Sequence, residues 1–149
     1  MSANSEATAL PPLYHISAVV KDIDETTEFL SSMWGLGPWH IFEHTPQKDT
    51  IMVGEPFSIK LAQTKLGATM LELIQPLEGK SVWSEFLKTH GEGLHHIAFS
   101  VPNWDEMVSK LKERGGTMVA GAINEGIRWC YFETKPGGIV VEFEERLEG

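Results

Sequence analysis

The sequence repeats itself. Leu13-Tyr14-His15-Ile16-Ser17-Ala18-Val19-Val20 is echoed by Leu94-His95-His96-Ile97-Ala98-Phe99-Ser100-Val101, so His15 falls on His96. An internal repeat constrains a fold more tightly than local propensity, because each copy must form the same supersecondary unit. In both copies a strand-like run leads through a short turn containing Asp or Asn into an amphipathic helix. The first helix is read over about Asp24 to Met33 and the second over about Asp105 to Arg114, with apolar residues at helical spacing. Gly35-Leu36-Gly37-Pro38 ends one and Gly115-Gly116 the other.

The far ends of the two copies also match. Gln63-Thr64-Lys65-Leu66-Gly67 leads into Met70-Leu71-Glu72-Leu73-Ile74, and Glu133-Thr134-Lys135-Pro136-Gly137 leads into Val140-Val141-Glu142-Phe143. Each reads as strand, glycine-containing turn, strand. The front-to-back spacing is shorter in the second copy, which places a longer inner loop in the first, within Thr45 to Pro56. The plan is an α+β fold of two βαβββ modules in tandem around one cleft. The modules span about 13–77 and 94–146, and a linker helix lies at about 82–90. Residues 1–12, small and polar and ending in Pro11-Pro12, read as a flexible N-terminal arm, and 13–149 as a single domain.

Composition narrows the class. A chain of 149 residues with 42% hydrophobic residues can bury roughly 70% of its unfolded surface, enough for one core. Twelve Lys plus Arg against 21 Asp plus Glu give a net charge of −9, which argues against a nucleic-acid partner. No apolar run reaches the ~20 residues of a membrane span. The lone Cys130 cannot form an internal disulfide, and Met1-Ser2-Ala3-Asn4-Ser5-Glu6 lacks a signal-peptide pattern. A cytoplasmic location is the expectation.

Strand parity then singles out four residues. In the first strand Ile16, Ala18 and Val20 share one face and His15 and Ser17 the other. In its echo, Ile97, Phe99 and Val101 oppose His96. In the last strands Leu71 and Leu73, and Val141 and Phe143, belong under the helices, which leaves Glu72 and Glu142 on the concave face. A carboxylate inside an apolar run is costly to bury unpaired. Two imidazoles and two carboxylates related by pseudo-twofold symmetry would resolve that cost around one divalent ion, with Co, Ni, Zn, Mn and Fe all suited to the donors. Taken singly, each such Glu is more often solvent-facing and each such His a satisfied core residue. The symmetric set of His15, Glu72, His96 and Glu142 is the signal.

Other features read more plainly. His95 has the wrong parity and is assigned to packing or the rim. His40-Ile41-Phe42-Glu43-His44 matches a zinc-protease spacing that requires a helix, which the flanking Gly37-Pro38 and Thr45-Pro46 disfavour. Cys130 is expected to be buried rather than nucleophilic. Arg128, opening a strand near the second hairpin, is the candidate for binding a substrate carboxylate or phosphate. Trp34, Trp39, Phe42 and Trp129 are candidates to line an apolar pocket.

From Leu13 to Glu145 the chain resembles the vicinal oxygen chelate superfamily, which includes glyoxalase I and methylmalonyl-CoA epimerase. The local likeness to the epimerases lies in Glu72-Leu73-Ile74-Gln75-Pro76-Leu77, in Lys88-Thr89-His90-Gly91-Glu92-Gly93-Leu94-His95-His96-Ile97-Ala98-Phe99 and in Gly138-Ile139-Val140-Val141-Glu142. By position the resemblance implies the same ligands, His15, Glu72, His96 and Glu142. Some epimerases carry Gln at the second, and glyoxalase I carries Glu. It further implies an isomerase or epimerase that removes a proton next to a carbonyl through a metal-stabilised enolate. The alternatives are a glyoxalase I-like lactoylglutathione lyase and a non-enzymatic small-molecule binding protein. The substrate would be an acyl-CoA or a thiohemiacetal-like molecule, and the assembly a homodimer. The epimerases' additional loop Glu has no counterpart in Thr45-Pro46-Gln47-Lys48-Asp49-Thr50, so the base falls to a ligand: Glu142 first, with Glu72 on the opposite side.

Overall fold

The computed structural model describes residues 10–147. All but the last three residues of the expected arm therefore lie outside the described residues, and those three carry neither helix nor strand. The first unit runs β1 (His15–Val19), α1 (Ile23–Trp34), β2 (His40–His44), β3 (Ile59–Leu66) and β4 (Thr69–Pro76). After α2 (Val82–His90), the second runs β5 (Gly93–Ser100), α3 (Trp104–Glu113), β6 (Thr117–Asn124), β7 (Ile127–Glu133) and β8 (Val140–Arg146). This is the α+β plan of βαβββ written twice.

The strands form one eight-stranded sheet in the order β2-β3-β4-β1-β5-β8-β7-β6. Each unit pairs its first strand with its last in parallel, β1 with β4 and β5 with β8, and the units join by antiparallel pairing of β1 with β5. The helices close one face of each half. Ile23 of α1 packs with Val20, Ala62 and Leu73. Trp104, Met107 and Val108 of α3 pack with Phe99, Cys130, Phe132 and Phe143. Local sequence sets the helix ends: Asp22 caps α1 by accepting from the Glu25 backbone at 3.0 Å, and Gly35 ends it at φ 70°, a conformation that glycine adopts without strain.

The opposite, inner face is also a core. Val19, Ile59, Leu61, Ile74, Ala120, Ala122, Trp129 and Tyr131 pack there with Trp83 from α2 and Phe57 from the loop before β3. The sheet curls enough that His44 on β2 meets Trp129 on β7, with ring centroids 6.2 Å apart. The helix read as a linker thus has a packing role, because Trp83 is 1% exposed and donates from its indole N–H to the Tyr131 hydroxyl at 3.2 Å.

The longer inner loop lies where the spacing placed it. Residues 45–58 join β2 to β3, whereas only 125–126 join β6 to β7. The long connection crosses to the other half: Met52 N–H donates to the Gly121 carbonyl at 2.8 Å, and Gly121 N–H to the Val53 carbonyl at 3.3 Å. A Cβ on Gly121 would come within 3.2 Å of both the Met52 side chain and the Trp129 carbonyl, which is why the smallest residue fits there. No helix among the described residues is long and apolar enough to cross a membrane.

Candidate metal centre

β1 and β5 are neighbours, β4 flanks β1 and β8 flanks β5, so the inner-face side chains of these four central strands converge. His15, Glu72, His96 and Glu142 are all buried, at 2%, 5%, 4% and 6% exposure. Each contributes one nitrogen or oxygen atom, and the four atoms lie within 4.8 Å of one another. His15 Nε2 is 3.1 Å from Glu142 Oε1 and 3.4 Å from Glu72 Oε1, and His96 Nε2 is 2.9 Å from Glu142 Oε1.

The donor set fits a divalent ion. The two Nε2 atoms face each other at 3.3 Å, so that each imidazole, once deprotonated there, directs a lone pair at the centre. Carboxylate oxygens complete an N₂O₂ set suited to first-row ions. In the metal-free protein a proton does part of this work. Burial depresses the His15 imidazole, but the Glu72 and Glu142 carboxylates outweigh it and raise its pKa to about 9. For Glu142 burial pushes upward, and hydrogen bonds from both imidazoles pull its carboxyl down to about 2. Glu144, two residues on along β8, is raised to about 8 by burial and by the Glu142 charge.

His95 departs from simple parity. In the pairing of β1 with β5, Ser17 opposes His96 but Ala18 opposes Leu94, so His95 is the extra residue of a β-bulge. The bulge turns its ring against Phe86 of α2 and against Tyr131, at 4.9 and 5.7 Å between centroids, and brings its Nδ1 within 2.9 Å of His96 Nδ1. It packs, as expected, but it also backs the far nitrogen of a central residue. Burial lowers its pKa to about 3 and keeps it neutral.

A cavity of about 520 Å³ opens over the cluster, and its walls come from both halves, including Phe42, Ile74, Trp83, Trp129 and Tyr131. Of the four aromatic candidates, Phe42 and Trp129 line it. Trp34 is 70% exposed at the end of α1, and Trp39 packs on the α1 side. The His40–His44 segment is a strand, so the helical zinc spacing does not form, although His40 and His44 line the cavity. His44 is buried with Nε2 unpartnered, and burial lowers its pKa to about 4. Cys130 is buried under α3, and its thiol is pushed up to about 12 by burial.

The structure does not bring Arg128 to the cleft. Arg128 shares a strand face with Cys130 and Phe132, whereas Trp129 and Tyr131 face inward. Its guanidinium lies 3.9 Å from the Trp104 ring and binds Asp105 and Glu145 on the helix-covered side. Arg146 is the one Lys or Arg among the described residues that line the cavity. Sequence reasoning also passed over Gln63 and Glu144. Counting back through the Gly67 hairpin, where Leu66 pairs with Thr69, sets Gln63 opposite Glu72, and parity along β8 puts Glu144 beside Glu142.

Comparison with known proteins gives three kinds of match. A sequence model of the glyoxalase/bleomycin resistance protein/dioxygenase superfamily matches residues 14–132. The uncharacterized protein YqjC of Bacillus subtilis is 31% identical over 102 residues, covering 68% of this chain and 66% of that protein, just under two thirds of its length. The mitochondrial methylmalonyl-CoA epimerase of Bos taurus is 26% identical over 144 residues, covering 89% of this chain and 73% of that protein. Among solved structures, a variant of Streptomyces coelicolor methylmalonyl-CoA epimerase in complex with 2-nitronate-propionyl-CoA superposes with a TM-score of 0.73. That match covers 94% of this chain and 100% of the other at 23% identity, a likeness of fold.

Proposed function

We propose, for a chain that belongs to the glyoxalase/bleomycin resistance protein/dioxygenase superfamily, an isomerase of the methylmalonyl-CoA epimerase type that removes a proton next to a carbonyl. The observation that carries this reading is the convergence of His15, Glu72, His96 and Glu142, with both carboxylates lining a cavity built from both halves. These four would hold one divalent ion, which supplies a Lewis acid for the substrate oxygen next to the acidic C–H.

The rest is done by the chain's own side chains. Trp83, Trp129 and Tyr131 wall the floor of the cavity and exclude water around the reacting carbon. Glu142 is the base: its carboxylate is held ionised by the two imidazoles beside it, and it faces the cavity from β8. It takes the α-proton, a contribution of roughly 10²–10⁴ in rate for a positioned general base, and inversion is completed by a proton returned from the opposite face, the side on which Glu72 stands. The substrate is a small molecule of the acyl-CoA or thiohemiacetal class, and a second copy of the chain is the partner.

A second reading, a glyoxalase I-like lyase, is favoured by one feature: the cluster holds two carboxylates rather than one and an amide. The test is protein purified without chelator, analysed for metal, then assayed in D₂O with methylmalonyl-CoA and with the methylglyoxal–glutathione adduct. The expected result is one ion per chain, none in His96→Ala, and deuterium entering methylmalonyl-CoA at the α-carbon. Turnover of the adduct alone selects the lyase. No metal in wild type and no exchange with either substrate overturns both.

A further inference from the structure

The two carboxylates of the cluster occupy equivalent places in the repeat, yet their surroundings differ. Glu72 on β4 is paired with Ser17 on β1 and with Gln63 on β3. The Ser17 hydroxyl, fully buried, donates to Glu72 Oε1 at 3.2 Å, and the Gln63 amide donates to Glu72 Oε2 at 2.8 Å. Both oxygens of Glu72 therefore have a fixed donor.

The register of the second half gives the corresponding neighbours of Glu142 on β8. They are Ala98 on β5 and Tyr131 on β7. Ala98 has no donor, and the Tyr131 hydroxyl is turned to Trp83, from which it accepts. Glu142 meets the two imidazoles through Oε1, and the Glu144 carboxyl hydrogen-bonds to it as well. The half that carries a hydroxyl and an amide around its Glu thus faces a half that carries a methyl and a phenol already engaged elsewhere.

We infer that Gln63 and Ser17 are positioning residues that hold Glu72 in one orientation, so that Glu72 serves as a fixed ligand, held by an amide and a hydroxyl that have no equivalent beside Glu142. The inference rests on the metal reading proposed above and deepens it. A carboxylate with one oxygen tied to a half-buried amide on the neighbouring strand presents the other to the centre in a single direction. Rotating it out would strand the Gln63 amide and the Ser17 hydroxyl without partners. Groups that orient a ligand in this way typically change metal affinity roughly 10–100-fold when removed.

The experiment uses the full chain in two forms. In the metal-free protein, ¹H–¹⁵N spectra are expected to show one Gln63 side-chain amide proton shifted downfield and slow to exchange, a signature lost in Glu72→Ala. A Gln63 amide that resonates and exchanges like an exposed glutamine overturns the inference. In the second form, cobalt(II) is titrated against a chelator while its visible bands are followed. Gln63→Leu is expected to weaken cobalt binding roughly 10–100-fold and to change the band shape, and Ser17→Ala to do so to a smaller extent. The metal-free variants are expected to melt within a few degrees of wild type. Wild-type affinity and an unchanged spectrum in Gln63→Leu also overturn it. Wild-type protein that takes up no cobalt defeats the metal reading, while the amide signal still decides whether Gln63 holds Glu72.

Discussion

The two halves share topology, register and the placement of one His and one Glu each, but they differ in what surrounds those residues. The first half is polar around its carboxylate, with Ser17 and Gln63. The second is apolar and aromatic, with Ala98 and Tyr131, and its histidine is backed by His95 across the bulge. Duplication explains why the cluster exists, since symmetric strands deliver symmetric side chains to one axis. The divergence of the neighbours gives two like carboxylates unlike surroundings. Under the proposed function, that difference is what would set the two apart.

The largest effect expected from that comparison is kinetic. Glu142→Gln should lower exchange of the substrate α-proton roughly 10²–10⁴-fold, as loss of a positioned base does. Glu72→Gln should lower it at least roughly tenfold less and act mainly on metal retention. Deuterium incorporation into methylmalonyl-CoA by mass spectrometry, alongside metal analysis, reads both, and equal losses in the two variants would erase the distinction between the halves.

The next is a pH dependence in which residues of both halves appear with opposite signs. The folded pKa of His15 is raised from 6.5 to about 9, so its ion pairs stabilise the metal-free fold fully below 6.5 and are lost as pH rises through 9. The pKa of Glu142 is lowered from 4.5 to about 2, so its contribution is present above 4.5 and lost as pH falls through 2. His44 and His95 are held neutral down to about 4 and 3, so below 6.5 the unfolded chain takes protons that the fold refuses, and stability falls. The metal-free protein should melt highest near pH 6.5. A bound ion must displace the His15 proton, so its affinity should climb with pH up to about 9. Thermal unfolding across pH with and without cobalt checks this, and a flat metal-free profile would contradict it.

The smallest effect lies at the helix starts. Asp22 caps α1 through its side chain, while the Asn103 side chain at the start of α3 makes no such bond and reaches Glu106 instead. Asp22→Ala should cost ~1 kcal/mol in urea unfolding, and Asn103→Ala less than about half of that.

How much of this was legible in the sequence depends on how regular each strand is. His15, Glu72, His96 and Glu142 could be placed from alternation, with the repeat pairing them, because the residues that follow His96 and those around the other three keep the two-residue period. His95 could not be fully placed, since one unpaired residue on β5 shifts the phase of its side chain, and a bulge leaves no mark in composition. Arg128 was assigned by its nearness to a hairpin, whereas the parity it shares with Cys130 and Phe132 sends it to the helix-covered face. Trp83 was hidden because a short helix between two repeats gives no hint of which face it closes. Gln63 was obscured by the repeat itself. Aligning the two Thr-Lys turns sets Gln63 against Glu133, but the β7–β8 loop is the longer one, and the true counterpart across the ladder is Tyr131.

The passage of residues 45–58 across to Gly121 bears on how the molecule behaves in a crowd of its own copies. β6 is the last strand of the sheet, and an unpaired outer strand is a template onto which another chain can add. Met52 and Val53 occupy the backbone groups of β6 at Gly121, so the first half supplies a stopper for the open margin of the second. Shortening the passage through Met52 and Val53, with Phe57 kept in the inner core, would uncover that margin, and the cost would appear as self-association rather than as lost chemistry.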